Sequence, residues 1–248
     1  MNTNTFVYIC RGGANEELRY SIRSVMHYFP DAEIIIVGSP PDWYNGKTLY
    51  VPQNKDKYFN ASKNLHTICH SEEIPEEFVF MNDDFFIVEK IRNIPLYHGG
   101  SFLKKVEKYK TIAPRGSYTR RLVDTFKTLR RLGISDPLDY DLHVPMVVEK
   151  SKLKRAIQFD VLWRSVYGNV YNSGGIEISD VKVYLNLDIN THSYDFKNGR
   201  LPFISTEDKV FPFVRDEIFE KKFGKPSKYE SPNKWGEGKR CPNCGHLV

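Results

Sequence analysis

Cysteine is scarce in this chain of 248 residues: there are four, at positions 10, 69, 241 and 244. Cys10, Cys69, Cys241 and Cys244 are too few and too scattered for a disulfide framework in a chain of this length. Long apolar runs are missing as well, and no window approaches the roughly 20 residues needed to span a bilayer. The opening residues Met1-Asn2-Thr3-Asn4-Thr5 are polar, and the apolar run after them is too short for a secretory leader. Internal repeats and low-complexity tracts are also absent. Together these absences point to a reduced, cytoplasmic protein with no membrane span. A strong charge imbalance is lacking too. The formal net charge of +5 favours anionic ligands, nucleotides or a polyanionic acceptor, yet falls short of a nucleic-acid signature.

The composition that remains is that of a soluble globular protein, 40% hydrophobic and 27% charged, with ample chain to bury a core. The length suits one large α/β domain or a domain with an appendage. Aromatics reach 14%, which fits a stacking or sugar-facing cleft as well as a dense core.

The most informative stretch is Glu77-Phe78-Val79-Phe80-Met81-Asn82-Asp83-Asp84-Phe85-Phe86-Ile87-Val88. Two apolar runs enclose Asn82, Asp83 and Asp84. A short apolar run reads as a buried strand, and carboxylates inside one are costly unless paired or bound to a metal. One reading is a core strand that delivers Asp83 and Asp84 to a cleft, where Mn²⁺ or Mg²⁺ bridges them to the diphosphate of an activated sugar. The other is a tight turn between two hairpin strands, since Asn and Asp favour turns.

Around this stretch the chain alternates between strand and helix. Phe6-Val7-Tyr8-Ile9-Cys10 reads as the first strand, and Arg11-Gly12-Gly13 breaks it. Asn15 caps a helix to about Tyr28, with Leu18, Ile22, Val25, Met26 and Phe29 on its buried face. Arg19 and Arg23 lie one turn apart on that helix. Strand, Gly loop and helix in this order offer backbone N–H groups to a phosphate, although Arg-Gly-Gly is no defined phosphate motif. Ile34 to Val37 reads as a buried strand, and Trp43 in the following loop can stack on a base or sugar or plug the core. The alternation argues for a mixed, mainly parallel sheet flanked by helices. A helix is expected from Asn60 to Cys69.

Segment 115–132 is basic and helical in pattern, either a solvated face or a grip on an anionic acceptor or donor phosphates. Tyr140-Asp141-Leu142-His143-Val144-Pro145 places a histidine before a strand-like run, where it can act as acid or base. Arg164 is a candidate phosphate ligand through its planar fork. A strand is expected at 181–185 and a helix around 213–223. From Lys225 onward the Pro-, Gly- and Lys-rich composition reads as a flexible tail, so the boundaries drawn are a domain over 1–224 and a tail over 225–248. The tail ends in Cys241-Pro242-Asn243-Cys244, half of a zinc knuckle, whose Zn²⁺ site would need further ligands.

Three blocks carry a family resemblance. Glu17-Leu18-Arg19-Tyr20-Ser21-Ile22-Arg23-Ser24-Val25 with Pro41-Asp42-Trp43, then Phe78-Val79-Phe80-Met81-Asn82-Asp83-Asp84-Phe85-Phe86, resemble the second region of the Stealth proteins, the capsular polysaccharide phosphotransferases and their relatives. Asp141-Leu142-His143-Val144-Pro145 resembles their third region. The resemblance covers roughly residues 6–170. It implies a GT-A-like α/β core, a nucleotide-sugar donor and a divalent metal. Carried over, Asp83 and Asp84 sit at the metal and the reacting centre, His143 is the functional histidine, and Arg164 matches a later arginine. Arg19 and Arg23 would lie near the donor; Arg11, Gly12, Trp43 and Asn82 are further donor-binding candidates that come from the residues themselves and not from the resemblance. One departure is chemical. The family's aspartate-rich turn after the first strand is replaced by Cys10-Arg11-Gly12-Gly13, with no acid. This favours plain glycosyl transfer over sugar-phosphate transfer, with a glycan or a modified base in DNA as acceptor. A nucleic-acid-binding module without catalysis is the remaining alternative.

Overall fold

The computed structural model describes residues 4–54, 56–184 and 201–231. Its centre is a five-stranded sheet in the order β3-β2-β1-β4-β7, formed by β1 (Thr5–Arg11), β2 (Glu33–Ser39), β3 (Lys47–Tyr50), β4 (Glu77–Asn82) and β7 (Met146–Glu149). β1, β2, β3 and β4 run parallel to one another, and β7 is antiparallel to β4. The inner strands read as near-continuous apolar runs because both faces of a parallel sheet are covered. Phe6, Tyr8, Ile34 and Ile36 enter one core cluster, while Val7, Ile35 and Val37 enter another. Gly38 fits where β1 and β2 meet at their carboxyl ends. A Cβ there would lie 2.0 Å from the Cys10 carbonyl oxygen, and the residue adopts φ +130°.

Helix α1 (Glu16–Tyr28) is capped by Asn15, whose side chain accepts from the Leu18 N–H. Its buried face holds the expected Leu18, Ile22 and Val25, and also Ser21 and Ser24. These two serines clasp the short strand β5 (Phe85–Ile87): Ser21 Oγ donates to the Phe85 carbonyl, and Ser24 Oγ accepts from Ile87 N–H at 3.0 Å. β5 does not pair with β4. It joins β10 (Phe203–Thr206) and β9 (Lys182–Val183) in a second sheet of order β5-β10-β9, while β6 (Tyr97–His98) and β8 (Ile176–Glu177) form a separate parallel pair. The core strand β4 ends at Asn82, as one reading expects, and Asn82-Asp83-Asp84 is not a turn between paired hairpin strands. It is the junction at which the chain leaves the main sheet for the smaller one.

Helix α2 (Lys57–His70) starts three residues before the expected Asn60, because Asp56 caps it through bonds from Tyr58 N–H and Phe59 N–H. Its His66 and His70 rings stack on each other at 4.0 Å, and Cys69 is buried. The basic segment 115–132 is one helix, preceded by another: α3 (Phe102–Ile112) and α4 (Ser117–Arg131) pack around Phe102, Val106 and Leu122. The first of them is absent from the sequence reading. Helices α5 (Lys150–Ala156) and α6 (Trp163–Tyr167) follow β7. A last helical stretch runs through Phe211–Val214, a π turn at Arg215–Phe219, and Glu220–Phe223. No helix among the described residues is long and apolar enough to cross a membrane.

Residues 225–231 pack against the domain, although composition places them in the tail. Tyr229 stacks on Tyr44 at 5.9 Å and donates to the Ala32 carbonyl. Glu230 lies between two arginines of α1, 2.6 Å from Arg23 Nη2 and 3.3 Å from Arg19 Nη1. The Cys241/Cys244 half-knuckle lies outside the described residues. Burial alone would raise the Glu230 carboxyl, but bonds from Arg23 and from Ser227 N–H outweigh it and hold the group below its ordinary value. Removing one partner of so buried a pair strands the other's charge. Glu230→Gln is expected to cost about 3 kcal/mol in urea unfolding at neutral pH. Because the folded value is depressed, this stabilisation is present above the ordinary value of 4.5 and fades as pH falls below it. A gap between wild type and variant that stays unchanged into acid would contradict the pairing.

Candidate active site

The carboxyl ends of β1 and β4 open onto a cavity of about 550 Å³. Ligands of open α/β sheets sit at this end of the strands. Ile9, Phe80 and Asn82 form its floor, since alternate residues of a strand face one side. α2 supplies Lys57, Tyr58 and Ser62, and the α3–α4 hairpin supplies Lys105, Tyr109, Tyr118 and Arg121. The loop before β7 brings Asp141 and His143, α6 brings Trp163 and Arg164, and the segment entering β9 brings Asp180.

Asp180 holds His143 twice. Its Oδ1 accepts from the His143 backbone N–H at 3.0 Å, and its Oδ2 lies 2.7 Å from the imidazole Nδ1. Burial would raise the Asp180 carboxyl, yet the bonds from His143 outweigh burial and keep it below its ordinary value. An ionised carboxylate only accepts. Nδ1 therefore carries a hydrogen, and in the neutral imidazole this tautomer leaves the lone pair on Nε2. The Phe85 ring supports the imidazole edge-on at 6.3 Å.

Below this pair lie buried cations. Arg164 is 6% exposed and donates from Nε to the Tyr140 carbonyl at 3.2 Å and from Nη2 to the Val144 carbonyl at 2.6 Å. Its Nη1 is buried with no partner. Burial draws this guanidinium down to about 10, against the pull of Asp141 and Asp180, so it stays charged at neutral pH. Lys105 pairs with Asp139 at 2.7 Å and donates to the Asp141 carbonyl at 2.8 Å. Burial opposes its charge, but Asp139 outweighs burial and raises it. Tyr118 donates to Asp141 Oδ2 at 2.6 Å.

A second cavity of about 300 Å³ lies beyond the junction, lined by Arg11, Gly12, Asn15, Glu17, Asp83 and Asp208. Gly12 turns the chain there with φ +92°. Asp83 accepts from Asn15 Nδ2 at 2.9 Å. Burial and then the neighbouring Asp84 push the Asp83 carboxyl up to about 6. Burial and the charges of Asp83 and Asp84 push Glu17 up to about 7. Asp84 itself is 9% exposed, and its Oδ2 takes bonds from Lys182 Nζ and Ser205 Oγ, each at 2.9 Å.

Hard oxygen donors crowded by like charge fit Mn²⁺ or Mg²⁺. Asp83 would hold the ion, with the remaining oxygen of Asp84. No group of three or more His, Cys, Asp or Glu gathers for an ion among the described residues, so the other ligands would be substrate oxygens and water.

Of the residues expected from sequence, the structure brings Asn82, His143 and Arg164 to the larger cavity and Arg11, Gly12 and Asp83 to the smaller one. Asp84 stands between them in an ion pair. Arg19, Arg23 and Trp43 are not brought to either. Arg19 lies over the Trp43 ring at 4.6 Å, Trp43 Nε1 donates to the Ala14 carbonyl, and both arginines bind Glu230. The sequence reading misses Asp180, Lys182, Glu17 and Tyr58. The one local signal for Asp180 is an acid just ahead of a short strand.

Among solved structures, the galactosyltransferase LgtC in complex with donor and acceptor sugar analogues aligns over 93% of this chain and 98% of its own, with 8% identity and a TM-score of 0.47. The glycosyltransferase GlyE of Streptococcus pneumoniae TIGR4 aligns in its apo form over 92% of this chain and 66% of its own, with 8% identity and a TM-score of 0.39. A second GlyE structure aligns over 90% and 60%, with 8% identity and a TM-score of 0.40. Likeness of this degree carries no argument about what this chain does. No family model and no curated protein matches the chain, so the Stealth resemblance stands on its motif residues alone.

The acid cluster sets a pH dependence. Both raised groups favour the protonated folded state, so their contribution is present below the ordinary values of 3.8 and 4.5 and lost as pH rises through about 6 and about 7. The thermal midpoint is expected to fall across that window without divalent cation. Glu17→Gln should flatten the fall. An equal slope in the variant would show that Glu17 and Asp83 do not interact.

Proposed function

We propose that the protein is a glycosyltransferase that moves a sugar from a nucleotide-diphospho-sugar to a hydroxyl acceptor. The observation that carries this reading is the His143–Asp180 pair, which presents a free Nε2 to a cavity large enough for a sugar at the carboxyl ends of β1 and β4. His143 takes the proton of the acceptor hydroxyl as that oxygen bonds to the anomeric carbon. The bond from the anomeric carbon to the diphosphate breaks, and the nucleoside diphosphate leaves. Asp180 positions the imidazole and stabilises the imidazolium that forms. Arg164 and Arg11 compensate charge on the donor, and Asn82 orients the junction. Mn²⁺ or Mg²⁺ on Asp83, with Asp84, would supply charge neutralisation on the leaving diphosphate. The absence of an acid at Cys10-Arg11-Gly12-Gly13 supports transfer of the sugar rather than of a sugar phosphate.

The test is turnover of a nucleotide sugar by wild type, His143→Ala and Asp180→Asn, with donor binding measured alongside. A general base contributes about 10² to 10⁴ in rate. His143→Ala should lose a factor in that range and Asp180→Asn a smaller one, both with donor affinity retained. Full activity in His143→Ala would remove the proposed base.

A further inference from the structure

The larger cavity holds a second group that the transfer step does not use. Arg121 on α4 lies over the Tyr58 ring of α2 at 4.9 Å. Its Nη2 donates to the Val161 carbonyl at 3.3 Å and stands 3.9 Å from Asp160, whose side chain is 91% exposed. Its Nε is buried and has no partner, as is Nη1 of Arg164 on the same cavity. Unmade bonds of buried donors are costly, so each calls for a ligand oxygen: Arg164 for one of the donor, Arg121 for one that the transfer step does not supply. The other carboxylates there are occupied: Asp141 accepts from Tyr118, and Asp180 holds His143. The wall that carries Arg121 is also the most cationic part of the chain. Residues 102–132 hold ten Lys and Arg against two acids, an excess larger than the +5 of the whole protein.

We propose that Arg121, stacked on Tyr58, is an oxyanion subsite, and that the acceptor is an anionic sugar unit bearing a phosphate or a carboxylate. This rests on the glycosyl-transfer reading for its term acceptor. The anion subsite itself rests on the geometry alone. The planar guanidinium is held in place by its aromatic stack and by Val161, which pre-positions its unpaired Nε hydrogen. A neutral sugar oxygen can accept from Nε as well, but only an oxyanion makes that bond charge-assisted.

Calorimetry on the full chain with glucose 6-phosphate, glucuronate and glucose tests this, with Mn²⁺-pyrophosphate as the donor-phosphate probe. One of the two charged sugars should bind at least about tenfold more tightly than glucose, as expected for a charge-assisted bond. Which one does so separates phosphate from carboxylate. Arg121→Gln should abolish the preference and leave Mn²⁺-pyrophosphate binding unchanged. Arg121→Lys should keep part of it, which guards against loss of fold. Arg131→Gln, at the exposed end of α4, should keep all of it. No preference for either charged sugar, a preference kept by Arg121→Gln, or equal loss in Arg131→Gln would overturn the subsite. Loss of pyrophosphate binding in Arg121→Gln would assign the arginine to the donor and overturn the anionic acceptor. Charged-sugar binding through Arg121 in a protein that turns over no nucleotide sugar would sink the transferase reading and leave the subsite standing.

Discussion

A carboxylate that is nearly buried must be paired, and Asp84 is paired with Lys182 and Ser205. This requirement organises the site. Ser205 lies on β10 opposite Phe85 and Lys182, so the bonds to Asp84 tie the end of the main sheet to both other strands of the small one. Lys182 is fixed by the pair, since Asp84 outweighs the burial that would otherwise lower it. Two positions upstream of Lys182 is Asp180. The anchor that satisfies Asp84 thus also carries the partner of His143 to its place. α1 reinforces the junction from behind through Ser21 and Ser24 on β5.

The junction also separates two electrostatic environments. On the Asp83 side, carboxylates crowd one another and are raised, which favours a cation. On the His143 side, Lys105, Arg121 and Arg164 line the cavity while their acidic neighbours are engaged within the protein. A transfer that generates a charged leaving group on one side and removes a proton on the other suits this division. On the His143 side Arg164 and Arg121 are held by backbone carbonyls, and Arg121 by an aromatic ring as well, so little reordering accompanies binding.

Much of the frame is legible in the sequence because both faces of a parallel sheet are covered, which writes the inner strands as unbroken apolar runs. β1, β2 and β4 and the carboxylates at 83 and 84 follow from that pattern alone. His143 is legible because a polar-aromatic cluster surrounds it. Asp180 is not, since its role depends on β9 returning beside β10, a pairing that no local periodicity encodes. Arg19 and Arg23 read as ligand residues, but Glu230, more than 200 positions away, claims them. The same contact explains why composition misplaces residues 225–231: a charged and proline-bearing strip is held by an ion pair and a tyrosine stack, neither of which average hydrophobicity registers. α3 escapes notice because four lysines mask its narrow apolar stripe of Phe102 and Val106.

The central claim is that a nucleotide sugar loses its sugar alone at the His143 cavity. The most direct measurement incubates the protein with a panel of nucleotide sugars and Mn²⁺ and identifies the nucleotide released. The account predicts a nucleoside diphosphate from at least one donor; release of a nucleoside monophosphate, or of no nucleotide from any donor, would contradict it.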